Sequence, residues 1–95
     1  MAISGRTPLI TIVSYDISSS RRRDKAARIL KDCGERIQYS VFECELTPER
    51  LTALRDRLLA LVNPRTDRVH FYPVCQACFG RATSIGAPYA PQPEL

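Results

Sequence analysis

The sequence contains no apolar run of about 18 residues, the length that a bilayer-spanning helix demands. Its beginning lacks a charged segment leading into an apolar core, so no secretory leader is expected. There is no internal repeat and no linker long enough to divide the chain, and its 95 residues are expected to form one domain, 1–95. Histidine occurs once, as His70, with no Cys or Asp at a spacing that suits a nucleophilic triad. Lysine is scarce, with two Lys against twelve Arg. These absences argue against a membrane protein and against histidine-centred nucleophilic catalysis.

What is present is ordinary globular composition with a basic bias. Hydrophobic residues make up 44% and charged residues 25%, which suits a packed domain rather than a disordered chain. A domain this small buries only part of its surface, which favours a homodimer. The formal net charge is +4, carried mostly by arginine, whose planar fork matches phosphate oxygens two at a time. A nucleic-acid partner fits that balance, and so does a solvated basic surface. The four cysteines, Cys33, Cys44, Cys75 and Cys78, are expected as reduced thiols in the cytoplasm.

The stretch "LITIVSY", 9–15, is short, apolar and β-branched, and reads as a central strand. Alternation places Ile10, Ile12, Ser14 and Asp16 on one side and Leu9, Thr11, Val13 and Tyr15 on the other. "SSSRRR" then offers a loop and a helix N-cap, most simply Ser20. Ala26, Ile29, Leu30 and Cys33 recur at helical spacing, and Gly34 suits the residue just past the helix end. Arg21, Arg22 and Arg23 oppose the dipole of that helix, which suggests that they serve a partner.

"GERIQYSVFECEL", 34–46, is rich in strand formers and has no Gly, Pro or Asn after its first residue to mark a turn. It is expected as one long strand kinked at residues 40–42. Ile37, Tyr39 and Val41 would pack toward the helices, with Gln38, Ser40 and Phe42 on the opposite face. Thr47 and Pro48 cap and open a second helix, whose face carries Leu51, Leu54, Leu58, Leu61 and Val62 until Asn63 and Pro64 stop it. "DRVHFYPV" alternates as a strand, and Pro73 puts that strand at an edge or at its end. "TSIG" is a short strand candidate in a proline-rich tail, 80–95.

Counting the long strand as two, the order is strand-helix-strand-strand-helix-strand. This is the ferredoxin-like α+β pattern, an antiparallel sheet with both helices on one face. The other face would be uncovered, and a second copy could cover it across a two-fold axis.

Asp16, at the end of a buried strand and before a serine loop, is the carboxylate best placed to meet a metal or a substrate, although capping of its own loop is the commoner role for such an aspartate. Arg21, Lys25 and Arg28 share a helix face that could track phosphates. The "CQAC" pair, Cys75 and Cys78, lacks the second pair that a zinc site needs within one chain.

The residues "YDIS...RRRDKAARILKDCGERIQYSVFECEL" resemble family two of the CRISPR-associated proteins, the small endonuclease-like subunit of the spacer-acquisition machinery. The resemblance implies a ferredoxin-fold homodimer. It makes Asp16 the metal-binding and catalytic candidate, with Tyr15 beside it in the strand-end motif and Mg as the cofactor. It implies cleavage of RNA or double-stranded DNA, and a bridging role between integrase subunits. Arg21, Arg22, Arg23, Lys25, Arg28, Arg36, Gln38, Ser40 and Phe42 become the nucleic-acid-binding candidates, and the tail 80–95 would pair with the partner subunit. The same strand-end carboxylate also suits a toxin-like messenger-RNA interferase, and the basic surface suits a DNA-bridging subunit with no nuclease activity.

Overall fold

The computed structural model describes residues 8–87. The elements run in the order β1 (Leu9–Asp16), α1 (Ser20–Lys31), β2 (Gly34–Gln38), β3 (Val41–Leu46), α2 (Pro48–Leu61), β4 (Arg68–Val74) and the single turn α3 (Gln76–Phe79). The strands form one sheet in the order β2-β3-β1-β4. Each neighbouring pair is antiparallel. This is the ferredoxin-like βαββαβ arrangement, with α3 added after it. No helix among the described residues is long and apolar enough to cross a membrane.

Alternation in β1 sorts its side chains as expected. Thr11, Val13 and Tyr15 are buried beneath the helices, and Asp16 is exposed on the other side. Val13 and Tyr15 pack with Ala26, Ala27 and Leu30 of α1 and Leu54 and Leu58 of α2 in one apolar core. Val69 and Phe71 close the core at the β4 edge. Pro73 sits in that edge strand, where its missing N–H costs no ladder bond toward a further neighbour.

Three local expectations are corrected. The α1 N-cap is Ser19, whose hydroxyl accepts from the Arg22 N–H at 3.2 Å, rather than Ser20, which is already helical. Gly34 does not end α1, whose C-cap is Asp32; it opens β2. Glycine is required there because a Cβ would strike the Glu43 carbonyl oxygen and lie 2.7 Å from the Cys44 Cα.

The third correction concerns the stretch 34–46, which is a hairpin rather than one kinked strand. Gln38 pairs with Val41, leaving Tyr39 and Ser40 as a two-residue turn, and the register shifts between Arg36 and Gln38. No non-glycine residue among those described has a positive φ, so this turn is not of the mirror-image kind that hairpins favour. The extra residue, Ile37, forms a bulge that supplies the twist instead.

That insertion reverses which residues face the helices. Phe42 is fully buried in the core with Cys44 and Leu46, whereas Ile37 is 37% and Tyr39 65% exposed. The sheet face away from the long helices is not bare either. After β4 the chain turns back over it, and Phe79, Ala82 and Ile85 border a hollow of about 840 Å³ together with Ile12, Gln38 and Glu43. Residues 82–85 form no strand in the single chain, and 88–95 of the expected tail lie outside the described residues.

Candidate functional site

Strand parity decides what the end of β1 presents. Tyr15 and Ile17 turn inward, 6% and 2% exposed, and Asp16 between them turns out to solvent. Asp16 accepts no hydrogen bond from any described residue. Its cross-strand neighbour in β4 is Arg68. The hairpin turn lies at the same end of the sheet, because the Tyr15 N–H donates to the Ser40 carbonyl at 3.0 Å.

The loop that follows Asp16 is held by a second aspartate. The side chain of Asp67 is fully buried and accepts from the Ser18 N–H at 3.1 Å and the Ser18 hydroxyl at 3.2 Å. It also accepts from the Asn63 N–H at 2.9 Å and the Thr66 hydroxyl at 3.0 Å. Arg22 completes the cluster in a two-pronged ion pair, Nε to Oδ2 at 2.8 Å and Nη2 to Oδ1 at 3.2 Å. The Arg22 guanidinium holds the Asp67 carboxyl well below the usual carboxylate range against the opposing pull of burial, aided by the Asn63 and Ser18 amides.

This changes the reading of the three arginines. Arg22 is bound to Asp67, and Arg23 donates through Nη1 to the Ile17 and Ser18 carbonyls at 2.8 and 3.2 Å. Two of the three therefore brace the β1–α1 loop, which answers their conflict with the helix dipole. Arg21, Lys25 and Arg28 stay exposed along α1. Lys25 and Arg28 share a hollow with Arg57 of α2, and this basic strip runs along the helices.

The remaining candidates separate. Tyr15 lies on the opposite side of β1 from Asp16, stacks on Phe42 with ring centroids 6.3 Å apart, and accepts from Arg36 Nη2 at 3.2 Å. Arg36 also lies over the Phe42 ring, 5.1 Å from its centroid, and over Tyr39 at 5.9 Å. Phe42, expected on the nucleic-acid side, is fully buried and cannot touch a ligand without unfolding the core. Gln38 is exposed and Ser40 half-buried, both at the hairpin end. Sequence reasoning missed Asp67 and Arg68. Asp67 follows a polar, proline-bearing loop and has no apolar pattern around it to announce burial. Arg68 meets Asp16 only through the strand order.

No group of three or more Cys, His, Asp or Glu side chains converges to hold a metal among the described residues. Asp16 has the chemistry that a hard cation takes, an exposed oxygen donor without a competing partner among the described residues, and it provides one carboxylate per chain.

The family described as CRISPR associated protein Cas2 matches residues 9–82. A CRISPR-associated endoribonuclease, Cas2 4, of Rhodospirillum rubrum is 41% identical over 76 residues, covering 80% of this chain and 61% of that protein. The chain thus spans less than two thirds of that relative's length. The crystal structure of Streptococcus pyogenes Cas2 at pH 6.5 superposes with a TM-score of 0.74 at 29% identity, covering 82% of this chain and 100% of that one. A chain of a partial Cas6-RT-Cas1–Cas2 complex superposes with a TM-score of 0.71 at 25% identity, covering 92% of this chain and 96% of that one. The match at 9–82 takes in every strand, both long helices and the Asp16 loop, and so the chain belongs to the CRISPR-associated protein Cas2 family.

Proposed function

We propose that the chain acts in CRISPR spacer acquisition, in the cytoplasm, as a homodimeric, nucleic-acid-binding subunit with magnesium-dependent endonuclease activity. The observation that carries this reading is the contrast at the end of β1, where an exposed Asp16, without a hydrogen bond among the described residues, ends the strand whose following loop is braced by Asp67, Arg22 and Arg23. A reactive carboxylate benefits from such a brace, because positioning accounts for much of catalysis. The name of the Rhodospirillum rubrum relative supports nuclease action, and the Cas1–Cas2 complex that holds the similar chain supports an integrase partner.

Asp16 would hold magnesium, and a second copy related by two-fold symmetry would bring the matching carboxylate. Bound there, the metal supplies water activation and charge stabilisation for phosphodiester cleavage. The chain's own part is to hold Asp16 outward, to place Arg68 one strand away, and to present Gln38 and Ser40 at the same sheet end. The sheet face with the half-buried Ile12 and Val74 would be the surface for the second copy, and the tail 80–95 would pair with that partner.

The test is cleavage of RNA and of duplex DNA with magnesium by the protein and by Asp16→Asn. Loss of at least about 100-fold is expected, the scale seen when one group that stabilises the transition state is removed. Equal cleavage by the variant would reject the assignment.

A second reading is a DNA-bridging subunit without chemistry. It draws on the exposed strip of Arg21, Lys25, Arg28 and Arg57, which lies on the helices rather than beside Asp16. Asp16→Asn with full duplex binding and full support of spacer integration would favour it.

A further inference from the structure

The motif left without a part in this function is Cys75-Gln76-Ala77-Cys78. We propose that Cys75 and Cys78 form a reversible thiol–disulfide site, in which Cys75 reacts first with a low-molecular-weight disulfide and Cys78 then closes an internal bond. This inference goes beyond the nuclease reading and does not depend on it.

The geometry supports it in three ways. Both thiols are exposed, whereas Cys33 is partly covered and Cys44 is buried. The Cys78 N–H donates to the Cys75 Sγ at 3.2 Å, and the Phe79 N–H donates to the Cys75 carbonyl at 2.9 Å. The turn is thus already closed, with the Cys75 sulfur over the backbone of Cys78, which suits the Cα span of about 4.4–6.8 Å that a disulfide tolerates. Third, the two sulfurs are unequal. The Cys78 amide and thiol pull the Cys75 thiol below its ordinary value, and Cys75 in turn pushes Cys78 up. Such a split makes one sulfur the attacking thiolate and the other the resolving thiol. Cys44 is a foil, because burial, then Cys33 and Glu43, push its thiol up to about 11.

The chemistry balances. The Cys75 thiolate attacks one sulfur of glutathione disulfide, forming a mixed disulfide and releasing one glutathione. Cys78 loses its proton and attacks the Cys75 Sγ, and the second glutathione leaves with that electron pair and takes up the proton. Two protein thiols are oxidised and one small disulfide is reduced to two thiols. The bond would staple the junction where β4 ends and residues 81–87 begin their return over the open sheet face.

The experiment treats the intact protein with excess glutathione disulfide at neutral pH, with and without an earlier chelator wash, and maps the products by mass spectrometry. The expected product in both arms is a Cys75–Cys78 link that dithiothreitol reverses. Cys78→Ser is expected to build up a mixed disulfide at Cys75 faster than Cys75→Ser does at Cys78, because the residue 78 backbone N–H still donates to the Cys75 sulfur. Three results would overturn the proposal: single glutathione caps on both thiols without an internal link, interchain disulfides in its place, or thiols that react only after the chelator wash, which would mark a metal site. The wild-type map needs no variant, so a misfolded variant does not spoil the test.

Discussion

Asp16 and Asp67 stand at the facing ends of β1 and β4, and they have opposite fates. Asp67 is buried and accepts hydrogen bonds from Ser18, Arg22, Asn63 and Thr66. Asp16 is exposed and accepts none among the described residues. One carboxylate is used to hold the loop, and the loop holds the other in the open. The difference teaches that residue type says little about role. What decides is whether the surrounding backbone amides and arginines converge on the group.

Replacing each aspartate by its amide breaks the comparison most sharply. Asp16→Asn is expected to remove magnesium-dependent cleavage while leaving stability within the scatter of surface substitutions, about ±0.5 kcal/mol by thermal melting. Asp67→Asn is expected to do the reverse at first order. The folded state should melt markedly lower, because Arg22 loses its charged acceptor, and any residual activity should fall with the order of the loop. Equal melting temperatures for the two variants would remove Asp67 from its bracing role.

A pH titration of stability sharpens the same contrast. The folded carboxyl of Asp67 lies below its unfolded value, so its contribution is present in full above the unfolded carboxylate range of about 3.9 and is lost as the pH falls below it. Denaturant midpoints should therefore drop on acidification below about pH 4 in the wild type. That acid slope should flatten in Asp67→Asn and stay in Asp16→Asn.

The exposed cations come next. Joint replacement of Arg21, Lys25 and Arg28 by alanine is expected to weaken duplex binding and to reduce the salt slope by roughly 0.9 for each phosphate that the protein no longer neutralises. An unchanged slope would take the strip out of the binding surface. The smallest effect is expected for Arg21→Ala on stability, within about 0.5 kcal/mol, whereas Arg22→Ala should cost clearly more because it leaves Asp67 buried without its cation.

Features set by neighbours in sequence were readable before the structure. Thr47 caps α2, with the Arg50 N–H donating to its hydroxyl at 3.2 Å, and Pro48 opens the helix. The alternation of β1 put Asp16 and Tyr15 on opposite sides of the strand. Features set at a distance were not readable. Arg22 and Asp67 are 45 residues apart, and no local pattern announces their bond. The face of Phe42 was misjudged because the turn at Tyr39 and Ser40 carries no Gly, Pro or Asn, and one bulged residue at Ile37 inverts the count. Within the candidate site, Asp16 was legible as a strand end. Its brace, and the commitment of Arg22 and Arg23 to it, needed the third dimension.

The brace has a consequence for how the molecule opens. Because Asp67 stands at the root of β4 and grips the loop after β1, the last of the described strands is joined to the first turn of α1. Fraying of β4 from its unpaired edge would pull Asp67 out of that grip and release the loop beneath Asp16 together with it. The order of the candidate site is then tied to the attachment of a single edge strand, and anything that docks along β4 would steady Asp16 without touching it.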